Sequence, residues 1–134
     1  MVPSAEPILI VEDDPANREL LRRMLEKAGW AVEEADNGQA ALEAIEVRKP
    51  SLVLLDLMMP RVDGFDLVAR MRERPDLRDI PVVIITAKDL TEEDRVRLDG
   101  GVERIIQKSD RDEMLRRLTR EISKCVKQQT ARGA

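Results

Sequence analysis

The sequence predicts an α/β fold, a doubly wound parallel sheet with helices on both faces. Three observations predict it. Apolar runs and amphipathic stretches alternate strictly along the chain in five strand–helix units, the pattern of repeated βαβ crossovers. The runs Leu52 to Leu55 and Val82 to Ile85 are apolar throughout, as strands buried on both faces are. Polar groups stand where strand after strand ends, at Glu12-Asp13, Asp56, Thr86 and Lys108. In an open parallel sheet that C-terminal edge is where ligands bind.

Pro7 to Val11 is the first short buried strand, and Glu12-Asp13-Asp14 ends it. Asp14 is placed to cap a helix whose first turn accepts Pro15. Leu20, Leu21, Met24, Leu25 and Ala28 recur at helical spacing before Gly29 stops the helix. Residues 30–35 form a more polar strand, as suits a sheet edge. Asn37-Gly38 turns the chain into a second helix carrying Ala40, Ala41, Ala44, Ile45 and Val47, closed by Lys49-Pro50. The third strand ends at Asp56, and Pro60 and Gly64 punctuate the loop beyond it. A helix over 64–72 presents Phe65, Val68, Ala69 and Met71, and Pro75 ends it. Residues 81–86 form a strand rich in β-branched side chains. The helix over 89–98 is the poorest, with only Leu90, Val96 and Leu98 as apolar residues. Gly100-Gly101 breaks it, and 102–107 is a last short strand ending before Lys108. Ser109 or Asp110 caps a fifth helix with Met114, Leu115, Leu118, Ile122 and Cys125 or Val126 on one face and basic residues on the other.

The length of 134 residues fits a single domain, 1–134, with a core of about 7–126 and loose ends at 1–6 and 128–134. A net charge of -4 argues against a general nucleic-acid binder. Trp30 and Phe65 are the only aromatic residues, too few for stacking platforms. With no histidine, histidine-based catalysis and most zinc chemistry are excluded. Cys125 has no partner for a disulfide within the chain, which fits a reducing cytoplasm. No apolar run approaches the roughly 20 residues of a membrane span, and the first residues lack the pattern of a signal peptide.

Taken singly, each polar strand end has a bland explanation as a cap, a strand stop or a solvated side chain. Together they form a site. Acids gathered at one edge repel one another unless a cation sits between them. Oxygen-only donors at a half-open site suit magnesium, which keeps waters and takes one or two carboxylates plus a phosphate oxygen. A hydroxyl and an ammonium facing that ion complete a cradle for a phosphoryl group.

These residues, in this order, resemble the receiver domains of two-component response regulators. The resemblance is carried by Ile8-Leu9-Ile10-Val11-Glu12-Asp13-Asp14, by Leu55-Asp56-Leu57-Met58-Met59-Pro60 with Asp63-Gly64, by Pro81 to Ala87, and by Lys108. It covers roughly Pro7 to Val126. It implies a flavodoxin-like sheet of strand order 2-1-3-4-5 with five helices. It further implies that Asp56 accepts a phosphoryl group from a histidine kinase or phosphotransfer protein, with Mg2+. Asp13, Asp56 and the Met58 carbonyl would ligate the ion, with Glu12 acting through water. Thr86 would hydrogen-bond the phosphoryl group and Lys108 would pair with it. Such a domain catalyses only its own phosphorylation and dephosphorylation, and passes its signal to a downstream protein through the helix 4–strand 5–helix 5 face, without direct DNA binding. Met58 and Lys88 would flank the path of the hydrolytic water, so a persistent phosphorylated state is expected.

Two departures are evident. Ile105 stands where the family usually has Tyr or Phe, so an aromatic relay behind Thr86 is unavailable. Ser109 replaces the usual Pro after the Lys. The ending Ile-Gln-Lys-Ser is similar to some receivers fused to sensor kinases. A pseudo-receiver that signals without phosphate is the alternative reading. A phosphatase of the haloacid dehalogenase type would place a second Asp where Met58 stands, and a nucleotide-binding module would carry a Gly-rich phosphate loop that is absent here.

Overall fold

A computed structural model describes residues 7–56, 64–86, 91–98, 104–107, 113–114 and 116–124. Five parallel strands form one sheet in the order β2-β1-β3-β4-β5. They are β1 (Ile8–Val11), β2 (Val32–Ala35), β3 (Leu52–Asp56), β4 (Val82–Thr86) and β5 (Arg104–Gln107). Between them lie α1 (Pro15–Lys27), α2 (Gly38–Val47), α3 (Gly64–Glu73) and α4 (Glu92–Leu98). Helical residues at 113–114 and 116–124 occupy the place expected for the fifth helix.

Strand alternation sorts the core into two layers. Leu9, Val11, Val53, Leu55, Val82 and Ile84 point to one face, where Ala41 and Ile45 of α2 and Leu67, Val68 and Met71 of α3 cover them. Ile8, Ile10, Leu52, Leu54, Val83 and Ile85 point to the other, against Leu21, Met24 and Leu25 of α1 and Met114, Leu118 and Ile122. The three inner strands therefore bury both faces, which is why they read as unbroken apolar runs. β2 pairs only with β1 and shows the weaker, more exposed pattern of an edge.

Local chemistry sets the helix ends. Asp14 caps α1, its side chain accepting from the Ala16 amide at 3.2 Å. At the other end Gly29 adopts φ +99, where a side chain would be strained. The Gly29 and Trp30 amides donate to the Glu26 and Leu25 carbonyls at 2.9 and 3.0 Å, closing α1 with the paired bonds of a Schellman motif. Asn37-Gly38, expected as a turn before a helix, is itself the helix start: Asn37 Oδ1 accepts from Ala40 N at 2.8 Å.

Several expected packing residues do not pack. Val47 and Val96 are 88% and 69% exposed, and Ala28 and Ala69 are also exposed. In α3 the buried stripe is Gly64, Leu67, Val68 and Met71, at the i, i+3, i+4, i+7 spacing of one helical face; Phe65 is only half-buried. Leu77, in the loop after α3, is buried at 1% exposure. Leu90, Leu115, Cys125 and Val126 lie outside the described residues.

Candidate functional site

All five strands run the same way, so their C-terminal ends share one edge. The register sets the positions. Val11 pairs with Leu55, which brings Glu12, one residue past β1, level with Asp56, the last residue of β3. Asp56 pairs with Ile85, so Thr86 lies one residue beyond it on β4. Thr86 in turn pairs with Gln107, so β5 leads toward position 108 along the same edge. Lys108 and Met58, expected at the site, lie outside the described residues.

The structure thus brings Glu12, Asp13, Asp56 and Thr86 to one edge. Glu12, Asp56 and Thr86 are 1%, 3% and 1% exposed, while Asp13 is half-buried on the loop after β1. By alternation Glu12 follows Ile10, and Asp56 follows Leu54, onto the face covered by α1. Thr86 follows Val82 and Ile84 toward the face covered by α2 and α3. The two acids therefore stand side by side, and the hydroxyl stands next to them on the other side of the sheet edge.

Two buried acids on neighbouring strands call for positive charge, because burying carboxylates is costly unless each is compensated. The donor set is all oxygen, which fits Mg2+ and disfavours zinc or copper. Among the described residues, no group of three or more acids is arranged to hold a metal ion by itself. A half-open magnesium site needs only one or two carboxylates, so Asp56 and Asp13, with Glu12 behind them, fit that ion.

The surroundings of Glu12 are held tightly. Its amide donates to Ala35 O at 3.0 Å, and its Oε2 accepts from Asp14 N at 3.2 Å. Its carbonyl accepts from Arg18 Nη1 at 2.9 Å. Arg18 also pairs through Nε with Glu34 Oε1 at 3.2 Å, and Arg22 reaches Glu34 Oε2 at 3.4 Å. Sequence reasoning missed Arg18 and Glu34. The available signal was weak: a cation four residues into α1, and an acid on β2 across from Ile10.

Comparisons with known proteins agree with this geometry. The sequence model of the response regulator receiver domain matches residues 8–119. The response regulator MprA of Mycolicibacterium vanbaalenii is 42% identical over 101 residues, which is 75% of this chain and 43% of that protein. The chain therefore spans less than half the length of the curated relatives it matches. Among solved structures, the signal receiver domain of a signal transduction histidine kinase from Syntrophus aciditrophicus superposes with a TM-score of 0.80 at 34% identity, covering 92% of this chain and 91% of that one. The response regulator TrrA of Thermotoga maritima, solved in complex with Mg2+-BeF, superposes with a TM-score of 0.75 at 26% identity, covering 87% of this chain and 98% of that one.

Proposed function

The chain belongs to the response regulator receiver domain family, a family of two-component signalling proteins, and on that premise we propose that Asp56 is its phosphoacceptor. The observation that carries this is the buried Glu12–Asp56 pair on adjacent strand ends, with Asp13 beside it. In the reaction a carboxylate oxygen of Asp56 attacks phosphorus, the bond from phosphorus to the donor breaks, and an acyl phosphate forms. With a histidine kinase or phosphotransfer protein as donor, the bond broken is P–N and the imidazole leaves. Asp56 must be ionised to act as nucleophile. Bound Mg2+ would supply charge compensation on the transferred oxygens; Asp13, Asp56 and the Met58 carbonyl would hold it, with Glu12 acting through water. Lys108 pairs with the transferred group in this reading. The domain catalyses only its own phosphorylation and dephosphorylation and acts in the cytoplasm.

Thr86 is suited to read the result. It lies one residue beyond the Asp56↔Ile85 pair and its alternation carries it to the opposite sheet face. A hydrogen bond from its hydroxyl to a phosphoryl oxygen would therefore pull β4 from the side of α3 and α4. The output surface we propose is α4, β5 and the helical residues after 113. Val96 is exposed there on α4. A cleft of about 260 Å³ opens beside β5, lined by Ile106, Arg117, Arg120, Glu121 and Lys124. We propose that a downstream protein with an acidic surface binds this face, whose cleft carries Arg117, Arg120 and Lys124 against Glu121.

The deciding experiment is incubation with acetyl phosphate and Mg2+, followed by intact mass. One phosphoryl group should appear on the wild type and none on Asp56→Asn. No labelling in the presence of Mg2+ would leave the pseudo-receiver reading in place. A second origin, the receiver of a hybrid sensor kinase, is favoured by the likeness to the Syntrophus aciditrophicus domain. It predicts that transfer from a kinase core tethered in the same polypeptide is far faster than from the same core added separately.

A further inference from the structure

We infer that Arg18 is a positioning residue for the magnesium-binding acid Asp13, with Glu34 of β2 as the counter-ion that holds Arg18 in place; this rests on the reading of the site above. The Glu12 carbonyl and the Asp13 amide belong to one rigid peptide plane. Arg18 Nη1 donates to that carbonyl at 2.9 Å. Fixing the carbonyl fixes the direction of the Asp13 N–H and the position of the Asp13 Cα, which leaves φ as the one backbone torsion between that plane and the Asp13 side chain. The other parts of Glu12 are tied as well, its amide to Ala35 O at 3.0 Å and its Oε2 to Asp14 N at 3.2 Å. Among the described residues, the Arg18 bond holds the peptide plane on the Asp13 side.

A guanidinium suits this task because its donors are fixed in one planar fork. Nε engages Glu34 Oε1 at 3.2 Å while Nη1 engages the Glu12 carbonyl. Glu34 is held a second time, by Arg22 Nη1 at 3.4 Å. The positive charge of Arg18 is paired with Glu34. Arg18 is only partly exposed, with 21% of its side chain accessible, so the arrangement is not a fully solvated surface pair. The edge strand β2 thus contributes to the site twice, through the Ala35 carbonyl on the Glu12 amide and through Glu34 on Arg18.

Position and field predict opposite signs, which makes the inference testable. If Arg18 acted only through its charge, removing it would leave the acids more negative and tighten Mg2+ binding. If it positions Asp13, removing it loosens the turn and weakens binding. The test compares wild type, Arg18→Met and Arg18→Lys by isothermal titration with MgCl2 and by amide hydrogen exchange in metal-free buffer. Arg18→Met should raise the Mg2+ dissociation constant by about tenfold, the usual scale for losing a group that orients a metal ligand. Arg18→Lys, with one donor nitrogen in place of a fork, should show a comparable loss despite keeping the charge. Without metal, the amides of Asp13 and Asp14 should exchange faster in both variants while those of Leu54 and Leu55 in β3 do not change. Unchanged or tighter Mg2+ binding in Arg18→Met overturns the inference, as does unchanged exchange at Asp13. If the wild type binds no Mg2+, the proposed function fails, and the exchange measurement still decides whether Arg18 orders the turn.

Discussion

The pairing of Glu12 with Asp56 makes a quantitative prediction about stability. The register sets the two acids on neighbouring strands, about 4.8 Å apart in backbone spacing, on the same face of the sheet. A carboxylate separation of roughly 6 Å is the order of magnitude that this strand spacing allows. Two unit charges at that distance repel by about 2.8 kcal/mol at an effective dielectric constant near 20. The side chain of Asn is nearly isosteric with that of Asp and keeps a carbonyl acceptor, so Asp56→Asn removes the repulsion without opening a cavity. Part of the gain is offset by loss of the interactions that Asp56 makes as a carboxylate. We expect a net stabilisation of about 1–2 kcal/mol in metal-free buffer. For a chain of 134 residues this is a rise in Tm of roughly 3–8 °C. The assay is thermal unfolding followed by far-ultraviolet circular dichroism, with EDTA and then with 10 mM MgCl2. Added Mg2+ should raise the Tm of the wild type through preferential binding to the folded state and narrow the gap to the variant. An Asp56→Asn protein that melts at or below the wild type in EDTA would refute the argument, because it would mean that the two acids are not in net conflict.

Leu67→Ala should cost about 2–5 kcal/mol in urea unfolding, since Leu67 is fully buried in α3 and its removal leaves a cavity against the sheet; Ala69→Ser, on the exposed side of the same helix, should change stability by less than about 0.5 kcal/mol. Thr86→Ala should still be phosphorylated by acetyl phosphate, but hydrogen exchange across 91–98 and 104–107 should no longer respond to phosphorylation; a full response would remove Thr86 from the relay. The Arg74 guanidinium beside Asp76 holds its carboxyl below the usual carboxylate range, so any stabilisation from the pair is present above that range and lost as pH falls through the lowered value. Arg74→Ala should return Asp76 upward, which a carbon-detected NMR titration reads directly. Met58→Asn should speed decay of the phosphorylated protein, because an amide can orient water where a thioether cannot; a wild type that decays within seconds would contradict water exclusion by Met58 and Lys88.

The sequence by itself determined the layered α/β architecture and named the polar groups that gather at one sheet edge. Unbroken runs such as Leu52 to Leu55 suggest strands covered on both faces, and the alternation of runs with amphipathic stretches makes parallel crossovers the economical solution. Capping was equally local, so Asp14, Pro15 and Gly29 could be placed from side-chain chemistry alone. The strand ends pointed to Glu12, Asp13, Asp56 and Thr86 because polar groups close one apolar strand after another at the same sheet edge. Local information failed where burial depends on what lies opposite. Val47 and Val96 are apolar yet exposed, while Leu67 is buried, because each helix is rotated by its contacts with the sheet rather than by its own composition.

Tertiary structure alone decided which strands are neighbours and in what register. Spacing and composition leave strand order open, and only the family resemblance anticipated β2-β1-β3-β4-β5. The pairing Val11↔Leu55 is what turns two acids 44 residues apart into adjacent charges. It also sets them on one sheet face and Thr86 on the other. The reach of Arg18 from α1 to the Glu12 carbonyl and to Glu34 is of the same kind. It joins a helix, a strand end and an edge strand through one planar group, and no periodicity along the chain encodes a contact among three separate elements. Sequence specifies the groups and their local backbone; the packing of helices on a twisted sheet specifies the distances between them, and the chemistry of the site depends on those distances.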